Sequence, residues 1–436
     1  MNEHVEVRLA DRAKPLLVGR LLDVGEGPRF EYDDAFLRDG VELSPFTLER
    51  RPNAFQPGPR GLHRLRGLFH DALPDGWGLK LLHQAMRDAG IDPATSSPLT
   101  WLRALGTRGM GALTFHPATA LDAADQNTND LDALAAAARR VDADDIEEVL
   151  PALKRAGGSS GGMRPKVVVA WHPSGSIADA FAPLQKDYRH ALVKFASSRE
   201  PADAPAVESA YLAMAARAGV EVPPHEVHHL RSGALALVVD RFDRAGDERR
   251  HVHTLAGLLE VDIREDYVGY ETLIAAALRL CQDVRSGQAA WVRAAFNVAA
   301  INRDDHARNV AFLMTPAGAW QLAPAYDLTF AEGPGGYHAM SIDGESSAPA
   351  RGHLLRLAAK AGLDRPSAER MLDQVRSALS SWKREASTAG VSKKRIAEIG
   401  GRLKKQSSHL APPTNSPRSG EVRAPQDGEA FPRPPA

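Results

Sequence analysis

Asp304 and Asn309, five positions apart in Asn302-Arg303-Asp304-Asp305-His306-Ala307-Arg308-Asn309, have the types and spacing of a phosphoryl-transfer loop. The aspartate of such a loop accepts the proton of an attacking hydroxyl, while the asparagine carbonyl ligates magnesium, so one short turn presents both groups. Asp327 follows in Ala323-Pro324-Ala325-Tyr326-Asp327. Between them, Val310 to Met314, a Thr-Pro-Ala-Gly turn and Trp320-Gln321-Leu322 read as a hairpin that returns Asp327 to the loop. The loop alone is weak evidence, because Asp and Asn after an apolar helix more often cap or turn the chain.

A nucleotide site also needs a flexible segment over the phosphates, a strand lysine to neutralise them and an acid to hold that lysine, in that order before the loop. Gly157-Gly158-Ser159-Ser160-Gly161-Gly162-Met163-Arg164-Pro165-Lys166 precedes the β-branched run Val167-Val168-Val169-Ala170-Trp171, which places backbone amides beside a phosphate. His190-Ala191-Leu192-Val193-Lys194-Phe195 reads as a strand with Lys194 partly buried, making it the candidate phosphate lysine. Val207 to Arg217 is helical by composition, with Gly219 as its stop. Glu208, expected in that helix's first turn, is the candidate partner of Lys194; the bland reading is an acid complementing the helix dipole.

These residues, in this order, resemble the HipA-type serine/threonine kinases, toxins of bacterial toxin-antitoxin systems. Five segments carry the resemblance over most of the chain: Phe69-His70-Asp71-Ala72-Leu73-Pro74-Asp75-Gly76-Trp77-Gly78, the Gly-Gly-Met-Arg-Pro-Lys loop, Asp240-Arg241-Phe242-Asp243-Arg244, the Asp304 loop, and Ala-Pro-Ala-Tyr-Asp-Leu. The resemblance implies Asp304 as catalytic base, Asn309 and Asp327 as magnesium ligands, and Lys194 as phosphate lysine. It also implies Gly161, Gly162, Met163, Arg164 and Lys166 over the nucleotide, Asp240 and Phe242 near the adenine, and His306 and Tyr326 lining the site. Ser159 and Ser160 occupy the place where family members phosphorylate themselves, which ejects the glycine loop. ATP and Mg2+ are the implied cofactors. A helix-turn-helix antitoxin and an aminoacyl-tRNA synthetase substrate are the implied partners, with DNA contacted through the antitoxin. The chain departs from the family at Met163, where a small residue is usual, and at Arg164, where Gln is frequent. Those departures favour, as an alternative, a catalytically weak relative that serves as a corepressor with its antitoxin. A small-molecule kinase shares the same phosphate chemistry.

A rival motif is His225-Glu226-Val227-His228-His229, which satisfies the His-Glu-x-x-His pattern of zinc peptidases. That chemistry requires a helix, whereas Pro223-Pro224 before it and Leu230-Arg231-Ser232-Gly233 after it indicate one arm of a hairpin. On a strand the outer histidines stand about 13 Å apart, too far to share a zinc ion. His251 and His253 form a second pair, expected to be surface or capped side chains.

The resemblance, with which the expected elements agree, implies an α+β, protein-kinase-like fold of two lobes, with a small β-rich amino-terminal domain and a mostly helical carboxy-terminal lobe. The expected division is 1–118, β-rich; 119–155, a helical brace; 156–285, the nucleotide-binding lobe; 286–405, the helical catalytic lobe; and 406–436, a disordered tail. Val5 to Leu9 and Leu16 to Leu22 are expected strands; Leu79 to Ala89, Leu273 to Cys281, Ala289 to Ile301 and Leu354 to Ser380 are expected helices. The tail composition, seven prolines in the last 26 residues, is that of a disordered segment.

With 436 residues and 43% hydrophobic side chains the chain can bury two or three cores, and a net charge of −1 supplies no overall attraction to DNA or anionic membranes. Cys281 is the single cysteine, which excludes a disulfide framework. No apolar run approaches the roughly 20 residues of a membrane span, and Met1 to Pro15 lacks a signal-peptide core, so the expected location is the cytoplasm.

Overall fold

A computed structural model describes residues 4–121, 130–143, 151–157 and 162–412. Ser159, Ser160 and Gly161, and all but the first residues of the expected tail, lie outside the described residues.

Strands β1 (His4–Leu9), β2 (Leu16–Asp23), β3 (Pro28–Tyr32) and β4 (Leu113–His116) form an antiparallel sheet in the order β3-β2-β1-β4. The alternation seen in the sequence is the reason: Val5, Val7 and Leu9 all point inward and are fully buried. Phe30, Phe69 and Phe115 fill the core beneath them.

The second sheet contains β5 (Lys166–Trp171), β6 (Ile177–Asp179), β7 (Arg189–Phe195), β8 (His225–His229) and β9 (Leu235–Asp240), ordered β6-β5-β7-β9-β8 and antiparallel throughout. All of β5 is buried, which explains why it reads as an unbroken apolar run. Val167, Val169, Trp171, Val193 and Phe195 pack on one face with Trp77, Leu81 and Leu134 from the helices Gly76–Asp88 and Leu131–Asp142. The period of two then forces Lys166 and Lys194 onto the opposite face, where they stand directly across from each other. The His225–His229 segment is a strand, as its flanking prolines and turn suggested. Glu226 accepts from Trp171 Nε1 at 3.0 Å and Arg189 at 2.6 Å.

The helical lobe is built around Val284–Ala300, buried along most of its length, which packs on Tyr270–Cys281 and Arg365–Leu379. Ile301 ends this helix with φ 55° and turns the chain into the Asp304 loop. A β-branched residue in the left-handed region is strained, and the surrounding packing holds it there.

Three expectations need correction. The stretch Leu354 to Ser380 is two helices, Arg351–Lys360 and Arg365–Leu379, because Gly362 adopts φ 73° and Asp364 caps the second by accepting from the Ser367 amide. The last helix runs Lys393–His409, so residues 406–409 belong to it and not to a tail. His251 and His253 are buried rather than superficial, at 2% and 0% exposure. His251 Nε2 donates to the Leu43 carbonyl at 3.0 Å, and His253 lies between Asp71 Oδ2 at 2.6 Å and Ser44 Oγ at 3.0 Å.

Asp71 and Asp243 help to fasten the amino-terminal domain to the rest. Asp71 accepts from the Thr254 amide at 2.7 Å and its hydroxyl at 2.8 Å; against the raising effect of burial, His253 pulls its carboxyl down to about 2. Asp243 takes Arg241 Nε at 2.9 Å, Arg244 at 2.7 Å and the Gly111 amide at 2.7 Å.

Burial of His70, His190 and His251 holds them neutral, with protonation depressed to about 4, 4 and 3. The unfolded chain therefore binds more protons than the folded one from the ordinary histidine value near 6.5 downward, and stability falls with pH across that window. Each histidine is expected to cost about 1 kcal/mol by pH 5.5. Urea unfolding at pH 7.5 and 5.5 checks this; equal midpoints would contradict it. Among the described residues, no helix is long and apolar enough to cross a membrane.

Candidate active site

Lys194 on β7 is 4% exposed, and its ammonium bonds to Glu208 Oε1 at 2.5 Å and to Asp327. Glu208 lies on helix Ala204–Arg217 and is 1% exposed. That helix begins earlier than expected, so Glu208 sits past its first turn, in the part that faces the sheet; a dipole role is thereby replaced by an ion pair. Burial opposes the charge on Lys194, but Asp327 and Glu208 raise its pKa. Lys166, across the strand pair and equally buried, has its pKa lowered, chiefly by burial. Burial would raise Asp327; the Lys194 and Lys166 ammoniums hold it well below the usual carboxylate range.

Asp327 is delivered by the expected hairpin, strands Ala311–Met314 and Trp320–Leu322, and itself adopts φ 53°. A non-glycine residue in that region is costly, and here the strain accompanies a carboxylate aimed at two lysines. The side chain of Asp304 is 64% exposed, open to an incoming hydroxyl, and His306 Nε2 lies 3.7 Å from its Oδ1. Asn309 Nδ2 donates to the Asp304 carbonyl at 2.7 Å, which leaves the amide oxygen as the group free to ligate. Tyr326 OH donates to the Arg308 carbonyl at 2.8 Å and its ring stacks on Phe242 with centroids 5.7 Å apart.

The glycine segment is described from Gly162 onward. Gly162 has φ 96°, a conformation that favours glycine, and Met163 is 75% exposed. Arg164 is held at Glu200 Oε1, 2.8 Å, and at Glu208 Oε2, 3.0 Å, so Glu208 spans Lys194 and Arg164 with its two oxygens. Asp240 is engaged by Arg189 Nε at 2.5 Å, and the amides of Asp240 and Arg241 donate to the Pro224 and His190 carbonyls at 2.9 and 3.0 Å. Those two amides are thus committed to the protein and not to an adenine edge. The structure therefore gathers Lys166, Lys194, Glu208 and Asp327 in one cluster. Asp304, His306 and Asn309 form the adjoining loop, and Phe242 stacks on Tyr326 beside it.

Several residues of the site escaped the sequence reading. Asp305, 2% exposed, accepts from Tyr270 OH, His338 Nδ1 and the Ala339 amide, each at 2.8 Å. Asn297 Nδ2 donates to Tyr270 OH at 2.8 Å, and Asn302 Nδ2 to Asn297 Oδ1 at 3.0 Å. This buried network anchors the loop from behind, with Asp304 facing out and Asp305 facing in. The paired aspartates were the only local signal; Tyr270 and His338 lie more than thirty residues away on either side.

The HipA N-terminal domain matches residues 9–116 and the HipA-like C-terminal domain residues 158–382. Among solved structures, HipA of Shewanella oneidensis MR-1, seen with HipB and operator DNA, superimposes with a TM-score of 0.67 at 21% identity, over 93% of this chain and 97% of that one. The Helicobacter pylori proinflammatory kinase CtkA covers 52% of this chain and 90% of its own at 12% identity, with a TM-score of 0.36 that is too low to bear on the fold. No curated protein sequence matches the chain. The C-terminal family match alone spans more than half of the residues and includes the lysine pair, the Asp304 loop and Asp327. With the kinase-like arrangement of a strand-rich and a helical lobe around that cluster, the chain belongs to the HipA family.

Proposed function

We propose that this protein is an ATP- and magnesium-dependent serine/threonine protein kinase that acts as the toxin of a toxin-antitoxin pair. The observation that carries this reading is the buried Lys194–Glu208 pair at 2.5 Å, which shares one cluster with Asp327 beside the Asp304–Asn309 loop. Lysine, acid and carboxylate in that relation are what phosphoryl transfer requires of a protein.

The residues fit the groups they would hold. The carboxylate of Asp327 and the amide oxygen of Asn309 are the hard oxygen donors magnesium prefers. His306 Nδ1 is buried with no hydrogen-bond partner among the described residues, a free polar atom beside the loop. Bound Mg-ATP supplies the γ-phosphoryl group and spreads its charge over oxygens that cations can balance. Lys194, with Lys166 across from it, would balance charge on those oxygens, and Asp327 and Glu208 keep Lys194 charged despite burial. Asp304 accepts the proton of a serine or threonine hydroxyl, and Asp305 holds the loop that carries it. The Phe242–Tyr326 stack offers an aromatic wall for the base.

Family membership supports an antitoxin with a helix-turn-helix domain as partner and an aminoacyl-tRNA synthetase as the phosphorylated substrate, with arrest of translation as the consequence. The likeness to HipA in a complex with HipB and operator DNA supports the first of these.

Incubation with magnesium and labelled ATP, followed by mass spectrometry of Ser159 and Ser160, tests the reading. Label on either serine is expected. Bound ATP without transfer to either serine or to added protein would favour the corepressor role.

Asp327→Ala is expected to weaken ATP binding about 100-fold in the presence of magnesium and far less in its absence, since two lysines remain for the phosphates. Calorimetric titration with and without the metal decides; equal losses in both would contradict a metal-binding role.

A further inference from the structure

Asp75, in the corner Leu73-Pro74-Asp75-Gly76-Trp77 of the amino-terminal domain, stands at the cap position of helix Gly76–Asp88. An aspartate there ordinarily accepts an amide of the first turn. Asp75 makes no such bond. Its Oδ1 accepts the amide of Gly162, at the near end of the glycine segment, and its Oδ2 lies 3.2 Å from Arg308 of the Asp304–Asn309 loop. The neighbouring Trp77 amide donates back to the Gly162 carbonyl at 3.1 Å. Gly76, with φ 46°, lets the corner approach so closely that a β-carbon would sit 2.7 Å from Met163 Sδ and 2.9 Å from the Gly162 carbonyl.

Asp71 and Asp243, which also cross between domains, bond to His253 and Thr254 and to Arg241, Arg244 and Gly111. Asp75 differs: its carboxylate has given up a helix cap to hold both loops that border the cleft. Arg308 is in turn held through its carbonyl by Tyr326, the residue before Asp327. One carboxylate thus ties the glycine segment, the catalytic loop and, through Arg308, the Asp327 turn.

We propose that Asp75 is a positioning residue, supplied by the amino-terminal domain, that sets the glycine segment and the catalytic loop in register for the nucleotide phosphates. Its catalytic meaning rests on the kinase reading above; its structural meaning does not. The amino-terminal domain is then a working part of the cleft as well as a support.

The test uses the full chain with Asp75→Ala and Asp75→Asn. In Asp75→Ala, amide exchange of residues 162–166 and 304–309 should accelerate about tenfold and KM for ATP should rise about tenfold, with kcat changing less. In Asp75→Asn the side-chain oxygen still accepts the Gly162 amide, so exchange at 162–166 should return near wild type while residues 304–309 stay loosened. Wild-type exchange and KM in Asp75→Ala would overturn the proposal. So would acceleration spread evenly over residues 4–121, the mark of a fold defect. If the wild type transfers no phosphate, the kinase reading falls, and the exchange data still decide whether Asp75 ties the two loops.

Discussion

Asp304→Asn is expected to lower the rate of phosphoryl transfer about a thousandfold and to leave ATP affinity within about twofold of wild type. The geometry separates the two effects. Asp304 is 64% exposed and makes no buried contact, so the amide replaces the carboxylate without disturbing the fold. The lysines and Asp327, which would hold phosphates and metal, lie on other elements and keep their bonds. Only the proton acceptor is lost. A rate assay paired with calorimetric ATP titration reads both quantities; a parallel loss of binding would move Asp304 from proton acceptor to ligand. Asp305→Asn supplies the contrast, since that carboxylate is buried with three donors and its loss should act on stability.

Asp243→Ala is expected to destabilise the protein by about 3–5 kcal/mol, the cost of leaving buried charges without their partner. Arg241 and Arg244 are 1% and 5% exposed at their side chains, and both bond to Asp243. Burial raises and the two arginines more than reverse the pKa of its carboxyl, which stays ionised under all ordinary conditions. The third bond, from the Gly111 amide, reaches the amino-terminal domain, so the damage should appear first as release of that domain. Urea unfolding followed by tryptophan fluorescence measures the loss. A change below about 1 kcal/mol would show that water or another acid replaces the aspartate.

The resemblance included Asp243 within a motif but gave it no role, the adenine side being assigned to Asp240 and Phe242. Its role as a fastener was invisible because Gly111 is more than a hundred positions away. The lysine pair shows the opposite case. A β-branched run marked the first strand and a short apolar run the second, and strand periodicity put Lys166 and Lys194 on one face once the strands paired. The hairpin that carries Asp327 was legible from its turn, whereas the φ of Asp327 was not, since nothing local forces a non-glycine residue into that conformation. Glu208 was named from sequence order and does meet Lys194, although the helix start was misplaced: Pro205 lies inside the first turn, where proline is tolerated, and was read as loop. Histidines 251 and 253 were misjudged because their cover comes from Leu43, Ser44 and Asp71, in a different domain.

The Asp304 loop is anchored through Asp305 to His338 and Ala339, residues that follow it in the chain. On the ribosome the loop emerges before its anchor does. A nascent chain halted anywhere ahead of His338 presents the aspartate and asparagine without the clamp that fixes them, so the loop is made before the groups that hold it.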